Sequence, residues 1–125
     1  MHLIIGGAYQ GKREYAKGAF GLKEEDIFLC PEEGEPDFSF PCIAGLARFA
    51  AFYAGTGRDA VAFFRENRAR WENSVLIAED IFCGVVPIDA TMRLWRHTTG
   101  LVCQHLAQNA DSVHRIFCGL EQRLK

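Results

Sequence analysis

Near its start the chain runs Leu3-Ile4-Ile5-Gly6-Gly7-Ala8-Tyr9-Gln10-Gly11-Lys12, an apolar stretch that breaks into glycines and ends on a lysine. Few architectures accommodate that order. An apolar strand feeding a glycine-rich turn presents backbone N–H groups to phosphate oxygens, and a lysine opening the next helix adds a positive charge. Gly6, four further residues, Gly11 and Lys12 have the spacing of such a phosphate-binding loop. Gly6, Gly7, Ala8, Tyr9, Gln10, Gly11, Lys12 and Arg13 are therefore the candidate phosphate-binding residues, with Lys12 also a candidate catalytic residue. The position after the lysine normally carries Ser or Thr, whose hydroxyl ligates the magnesium of a bound nucleotide, but here it is Arg13.

Composition narrows the partners. With 125 residues, 49% of them hydrophobic, the chain is expected to form one domain over residues 1–125 around one core. A net charge of −2 from nearly balanced acids and bases argues against a nucleic-acid partner. No apolar run approaches the roughly 18 residues of a membrane span, and no basic-then-apolar leader opens the chain, so a soluble cytoplasmic protein without a membrane partner is expected. The five cysteines, Cys30, Cys42, Cys83, Cys103 and Cys118, are widely spaced and include no C-x-x-C pair. Most sit in apolar stretches such as Ile116-Phe117-Cys118, which predicts buried free thiols in a reducing compartment and no metal site.

Along the chain, Tyr15, Ala16, Ala19 and Phe20 recur at helical spacing until Gly21, and Asp26-Ile27-Phe28-Leu29-Cys30 is a second short apolar run. The acidic segment Glu32 to Asp37 that follows reads as a solvated loop. Ile43, Leu46, Phe49, Ala50 and Tyr53 then fall at i, i+3, i+6, i+7 and i+10, predicting a helix that ends at Gly55-Thr56-Gly57. A second helix is expected through Ala60, Phe63, Phe64, Asn67 and Trp71, with its interleaved arginines solvated. Ser74 to Ala78 is a buried-strand candidate that ends in Glu79 and Asp80, where the carboxyl end of a parallel strand would place acids near a ligand. After Gly84-Val85-Val86-Pro87-Ile88, Asp89 is positioned to cap a helix from Ala90 to Asn109. Leu94, Trp95, Leu101, Val102 and Leu106 are expected to form the stripe that lies on the sheet. Val113 to Cys118 reads as a final strand near a sheet edge. Strands alternating with helices in so short a chain predict an α/β fold, a small P-loop NTPase-like three-layer domain with a mostly parallel sheet.

Two stretches together resemble one family. Gly6-Gly7-Ala8-Tyr9-Gln10-Gly11-Lys12 is similar to the Gly-Gly-Ala-Arg-Ser-Gly-Lys-Ser loop of the bifunctional adenosylcobinamide kinase and adenosylcobinamide-phosphate guanylyltransferase of cobalamin biosynthesis. Residues from Val75 to Lys125 resemble that family's closing region. Gly84-Val85-Val86-Pro87 stands for its Gly-Ile-Val-Pro, and Arg93, Trp95, Arg96, Gly100, Gln104, Leu106, Ala107, Ala110 and Asp111 keep the register of its long helix. The resemblance implies a GTP or ATP donor with magnesium, a corrinoid substrate and a homo-oligomer. It also implies a second catalytic carboxylate at Asp80, which aligns with the family's acidic residue after the penultimate strand, while Glu79 replaces an Asn.

The departures fall on the chemistry. Arg13 replaces the loop serine, and the nearest counterpart of the family's Asp-Cys pair at the end of its third strand is Pro41-Cys42. The histidine that becomes guanylylated in the family has no counterpart, because nothing between Cys30 and Pro41 is His or Arg, and His2, His97, His105 and His114 read as structural or surface residues. An inward Arg13 would oppose magnesium yet favour phosphate oxygens, whereas an outward Arg13 would leave the site neutral and incomplete. Three readings follow: a nucleotide- or phosphate-binding relative with impaired or lost catalysis; an active nucleotide-dependent adenosylcobinamide kinase without guanylyltransferase activity; and a structural or assembly protein whose loop is a plain strand-to-helix turn.

Overall fold

A computed structural model describes residues 1–81 and 86–125. Cys83 and the Gly84-Val85 half of the Gly-Val-Val-Pro stretch lie outside the described residues. The chain forms β1 (His2–Gly6), α1 (Lys12–Phe20), a 3-10 turn (Glu24–Asp26), β2 (Ile27–Leu29), β3 (Cys42–Ala44), α2 (Leu46–Gly55), α3 (Ala60–Glu66), α4 (Arg68–Trp71), β4 (Val75–Glu79), α5 (Ala90–Asn109), β5 (Ser112–Phe117) and β6 (Leu120–Arg123). The sheet order is β2-β3-β4-β1-β5-β6, parallel throughout except for the antiparallel edge strand β6. This is the expected α/β architecture with a mostly parallel sheet. The glycine loop leaves a central strand beside the end of β4, since Gly6 pairs with Glu79.

Strand residues alternate between two layers, as the period of two in a pleated strand requires. Leu3, Ile43, Leu76 and Ala78 enter a large core with α2, α3, α4 and α5, whereas Ile4, Cys42, Ala44, Val75, Ile77 and Ile116 form a thinner one under α1. Both faces of the central strands are covered, which explains their almost uninterrupted apolar sequence. Phe64 packs edge to face on Phe49 and Phe63, and Phe49 lies tilted against Phe63, with ring centroids 4.7 to 5.6 Å apart in the large core. The phenylalanines of these helices thus fill the chain's own interior. No helix of the described residues is long and apolar enough to cross a membrane.

Several expectations are corrected. Ile43 is the middle of the buried strand β3, and the helix begins only at Leu46, after Gly45 turns the chain. The expected second helix is broken at Asn67 into α3 and α4. Asp89 does cap α5 by accepting from Met92 N–H at 3.0 Å, but the face turned inward carries Thr99, Val102, Cys103 and Leu106, while Leu94 and Leu101 are exposed. Thr99 can be buried because its hydroxyl donates to the Trp95 carbonyl at 2.8 Å. Val113 to Cys118 does not end the sheet, because β6 folds back on β5 and becomes the edge. Cys118 lies in the turn between them and is exposed, against the expectation of a buried thiol. Burial pushes the thiols of Cys30, Cys42 and Cys103 up to about 12, which keeps them protonated.

His114 ties β5 to its neighbours. Its Nε2 lies 2.7 Å from Ser112 Oγ, and its Nδ1 lies 2.7 Å from Glu121 of β6 and 3.1 Å from the Tyr15 hydroxyl of α1. Ser112 Oγ also meets His2 Nδ1 at 2.6 Å. A serine, a histidine and a carboxylate in that order could suggest a nucleophile, but Ser112 is only 4% exposed and no substrate can reach it. The network therefore fastens α1, β1, β5 and β6 together.

Candidate functional site

The site forms where strand ends and helix starts converge. β1 ends at Gly6, a position that excludes a side chain: an added Cβ would lie 2.5 Å from the Ile116 carbonyl oxygen. The turn that follows, residues 7–11, bends the chain into α1, whose first residue is Lys12. A cavity of about 470 Å³ opens at this point. Ala8, Tyr9, Gln10, Gly11, Lys12, Arg13 and Glu14 line it from the loop and the start of α1, and Leu29, Ala44, Arg48, Ile77 and Glu79 line it from β2, β3, α2 and β4. Open parallel sheets place ligands at this edge, outside the carboxyl ends of their strands.

Lys12 is 8% exposed, and its ammonium donates to the Gly7 carbonyl at 2.6 Å. The lysine is thus folded onto its own loop. Burial lowers its pKa below the ordinary lysine value, and the negative charges of Glu79 and Asp80 partly counter that shift. Glu79 is on the cavity wall, whereas Asp80 is not among the residues that line it. Its backbone N–H donates to the Gly6 carbonyl at 2.9 Å, tying the end of β4 to the start of the loop. Glu79 Oε2 and Asp80 Oδ1 are both buried and have no hydrogen-bond partner among the described residues. Gly6 and Gly7 also do not line the cavity; they shape the turn and, at Gly7, hold the lysine.

The orientation that the sequence left open at position 13 is resolved. The Arg13 guanidinium lies 2.7 Å from Glu24 Oε1, in the 3-10 turn beyond α1, and Glu24 also pairs with Lys17. The Arg13 guanidinium is therefore directed along α1 to Glu24, although the residue borders the cavity. The counterpart of the family's strand-end Asp-Cys pair also moves: Pro41-Cys42 stands at the start of β3, and its carboxyl end is Ala44-Gly45. Ala44 borders the cavity, so the strand-end carboxylate is absent there as well.

Arg48 is the residue that sequence reasoning missed. It stands in the first turn of α2 and brings a second cation to the cavity wall opposite the loop. Its place became readable only once Ile43 belonged to a strand, because the turn after a parallel strand faces the ligand edge of the sheet. None of the four histidines lines this cavity. Among the described residues no group of three or more His, Cys, Asp or Glu side chains is arranged to hold a metal ion.

Two cations on facing walls, Lys12 at the loop and Arg48 of α2, suit an anionic ligand. No curated protein matches the chain. A family model described as cobinamide kinase / cobinamide phosphate guanyltransferase matches residues 54–124, a segment that contains α3, α4, β4, α5, β5 and β6 and leaves out the glycine loop. The matched segment is more than half of the chain and supplies β4, β5 and β6 of the sheet beside which that loop stands, and the chain belongs to the cobinamide kinase / cobinamide phosphate guanyltransferase family.

Proposed function

We propose that this protein is a nucleotide-binding member of its family in which residues 6–12 hold the phosphates of GTP or ATP and phosphoryl transfer is weakened or lost. The observation that carries this reading is Lys12, buried at the opening of α1 on the wall of the cavity and held by a loop carbonyl that a phosphate oxygen would replace. The backbone of residues 7–11 supplies N–H donors around the phosphates, and Arg48 supplies charge from the opposite wall. Phosphoryl transfer depends on positioning and on charge stabilisation about the γ-phosphate. Both are reduced where Arg13 turns to Glu24 and Ala44 ends β3.

A magnesium ion fits the remaining groups in part. Glu79 Oε2 and Asp80 Oδ1 are hard oxygen donors without a partner among the described residues, and magnesium commonly binds through one or two carboxylates while keeping its waters. When bound, the ion would offset the charge of the phosphates. The loop hydroxyl that normally joins it is missing. The alternative reading, an active kinase, has Asp80 accept the proton of an acceptor hydroxyl; Asp80 stands behind the cavity wall, so the acceptor would have to reach it past Glu79, which lines the wall. A corrinoid acceptor and a homo-oligomeric assembly follow from the family. Guanylyl transfer through a histidine is disfavoured, because no histidine stands on the cavity wall.

Titration with GTP and ATP, with and without magnesium, followed by assay of phosphate transfer to cobinamide, separates these readings. The wild-type protein is expected to bind with little dependence on magnesium and to transfer phosphate slowly or not at all. Arg13→Ser should raise magnesium-dependent affinity about 10-fold, the worth of one recovered contact to a charged group. Rapid, magnesium-dependent transfer by the wild type would establish the active kinase instead. Failure to bind either nucleotide at millimolar concentration would sink both.

A further inference from the structure

A two-residue turn, Cys118-Gly119, joins β5 to β6, with both residues in the left-handed region at φ 52° and 75°. Turns with both central residues at positive φ match the twist of the strands they connect. Their N–H groups lie outside the Phe117–Leu120 pair that closes the ladder, and both are taken by one residue of the glycine loop. Cys118 N–H donates to Gln10 Oε1 at 2.6 Å, and Gly119 N–H donates to the Gln10 carbonyl at 2.9 Å. The other half of the Gln10 amide turns back on the loop, where Nε2 donates to the Ala8 carbonyl at 3.4 Å.

The residues on either side of Gln10 show why an anchor is needed. Tyr9 is fully exposed yet sits in the left-handed region at φ 57°, where a bulky side chain persists only if its surroundings fix it. Gly11 follows at φ 95° and packs against the turn, where an added Cβ would lie 3.5 Å from Gly119 Cα. Tyr9 has little packing of its own to hold that conformation, and the two bonds of Gln10 supply what fixes it.

We infer that Gln10 is a positioning residue: clipped through its side chain and its carbonyl to the Cys118-Gly119 turn, it holds the glycine loop in the conformation that presents its N–H groups and Lys12 to phosphate. The inference rests on the phosphate-binding reading given above. Gln10 is thus assigned to the hairpin through its side chain, and to the ligand only through its backbone. The β5–β6 hairpin becomes part of the site although it does not border the cavity.

The test uses the full chain with inorganic triphosphate as ligand, read by calorimetry, and amide hydrogen exchange at Cys118 and Gly119. Gln10→Ala should weaken triphosphate binding about 10-fold, by loosening a loop fixed through one side-chain bond, and should speed exchange at Cys118. Exchange in β1 and β4 should stay slow, which separates a loosened loop from a destabilised fold. Gln10→Glu retains an acceptor oxygen and should keep the Cys118 amide protected. If the wild type and Gln10→Ala bind triphosphate equally, the positioning role is overturned while the phosphate site stands. Absence of triphosphate binding by the wild type overturns the phosphate reading and the positioning role with it.

Discussion

Lys12→Ala should lower affinity for GTP, ATP and inorganic triphosphate by about 100-fold or more, because it removes a buried charge and its donors from the phosphates, at roughly 3 kcal/mol for contacts to ionised groups. Among the described residues the Lys12 ammonium hydrogen-bonds to the Gly7 carbonyl and also offsets the charges of Glu79 and Asp80, so the variant should fold at somewhat reduced stability. Calorimetric titration of both proteins measures the loss, and retained affinity would place the ligand elsewhere. A pH profile adds a second signature. Burial holds the Lys12 pKa below the ordinary value of 10.5, so the ammonium loses its proton earlier than a solvated lysine does as pH rises. Wild-type affinity should therefore fall on the alkaline side at a pH below 10.5, whereas Lys12→Ala should show no such step. Stability changes in the opposite direction. The unfolded chain binds more protons at this lysine between the two pKa values, so burying Lys12 costs stability below that window and the cost is relieved as pH rises through it.

Trp71→Ala should produce the largest loss of stability, about 3–5 kcal/mol, by emptying a large aromatic volume from the core. Trp71 is 1% exposed, packs edge to face on Phe64 at 6.1 Å and His105 at 6.4 Å, and donates Nε1–H to the Phe64 carbonyl at 2.8 Å. Truncation leaves that buried carbonyl without its donor as well as a cavity. For a chain of this size the change corresponds to a drop of roughly 10–20 °C in Tm, measurable by calorimetry or circular dichroism. Trp71→Phe keeps most of the volume and loses the hydrogen bond, and should cost about 1–2 kcal/mol. A Trp71→Ala protein that melts within a few degrees of wild type would show that α4 is not fastened to the core as described.

The elements that could be read from sequence are those whose own residues carry a strong local signal. β4 is a run of buried apolar residues, α5 has a capping aspartate three residues before the amide it accepts, and the glycine loop has fixed spacing. β3 lacked such a signal. Its three residues merge with the helical spacing of Leu46, Phe49, Ala50 and Tyr53, and only the left-handed Gly45, at φ 76°, separates strand from helix. β6 is exposed along its whole length and shows no alternation, because the antiparallel ladder with β5, from His114–Arg123 to Phe117–Leu120, defines it. In α5 the apolar residues were visible, but which of them face inward depended on where the sheet lay. Thr99 went in and Leu94 stayed out.

The site divides along the same line. Local spacing and chain order alone give the glycine loop, its lysine, the acids at the end of β4 and the missing hydroxyl at position 13. Tertiary structure decides where Arg13 points, that Ala44 rather than Pro41 ends β3, that Arg48 joins the cavity, and that Gln10 belongs to the β5–β6 turn. The physical reason is the range of the interactions. Strand and helix periodicity and loop spacing are set by neighbours a few residues apart, whereas Gln10 meets Cys118 across 108 positions of sequence, and no local preference encodes that hydrogen bond.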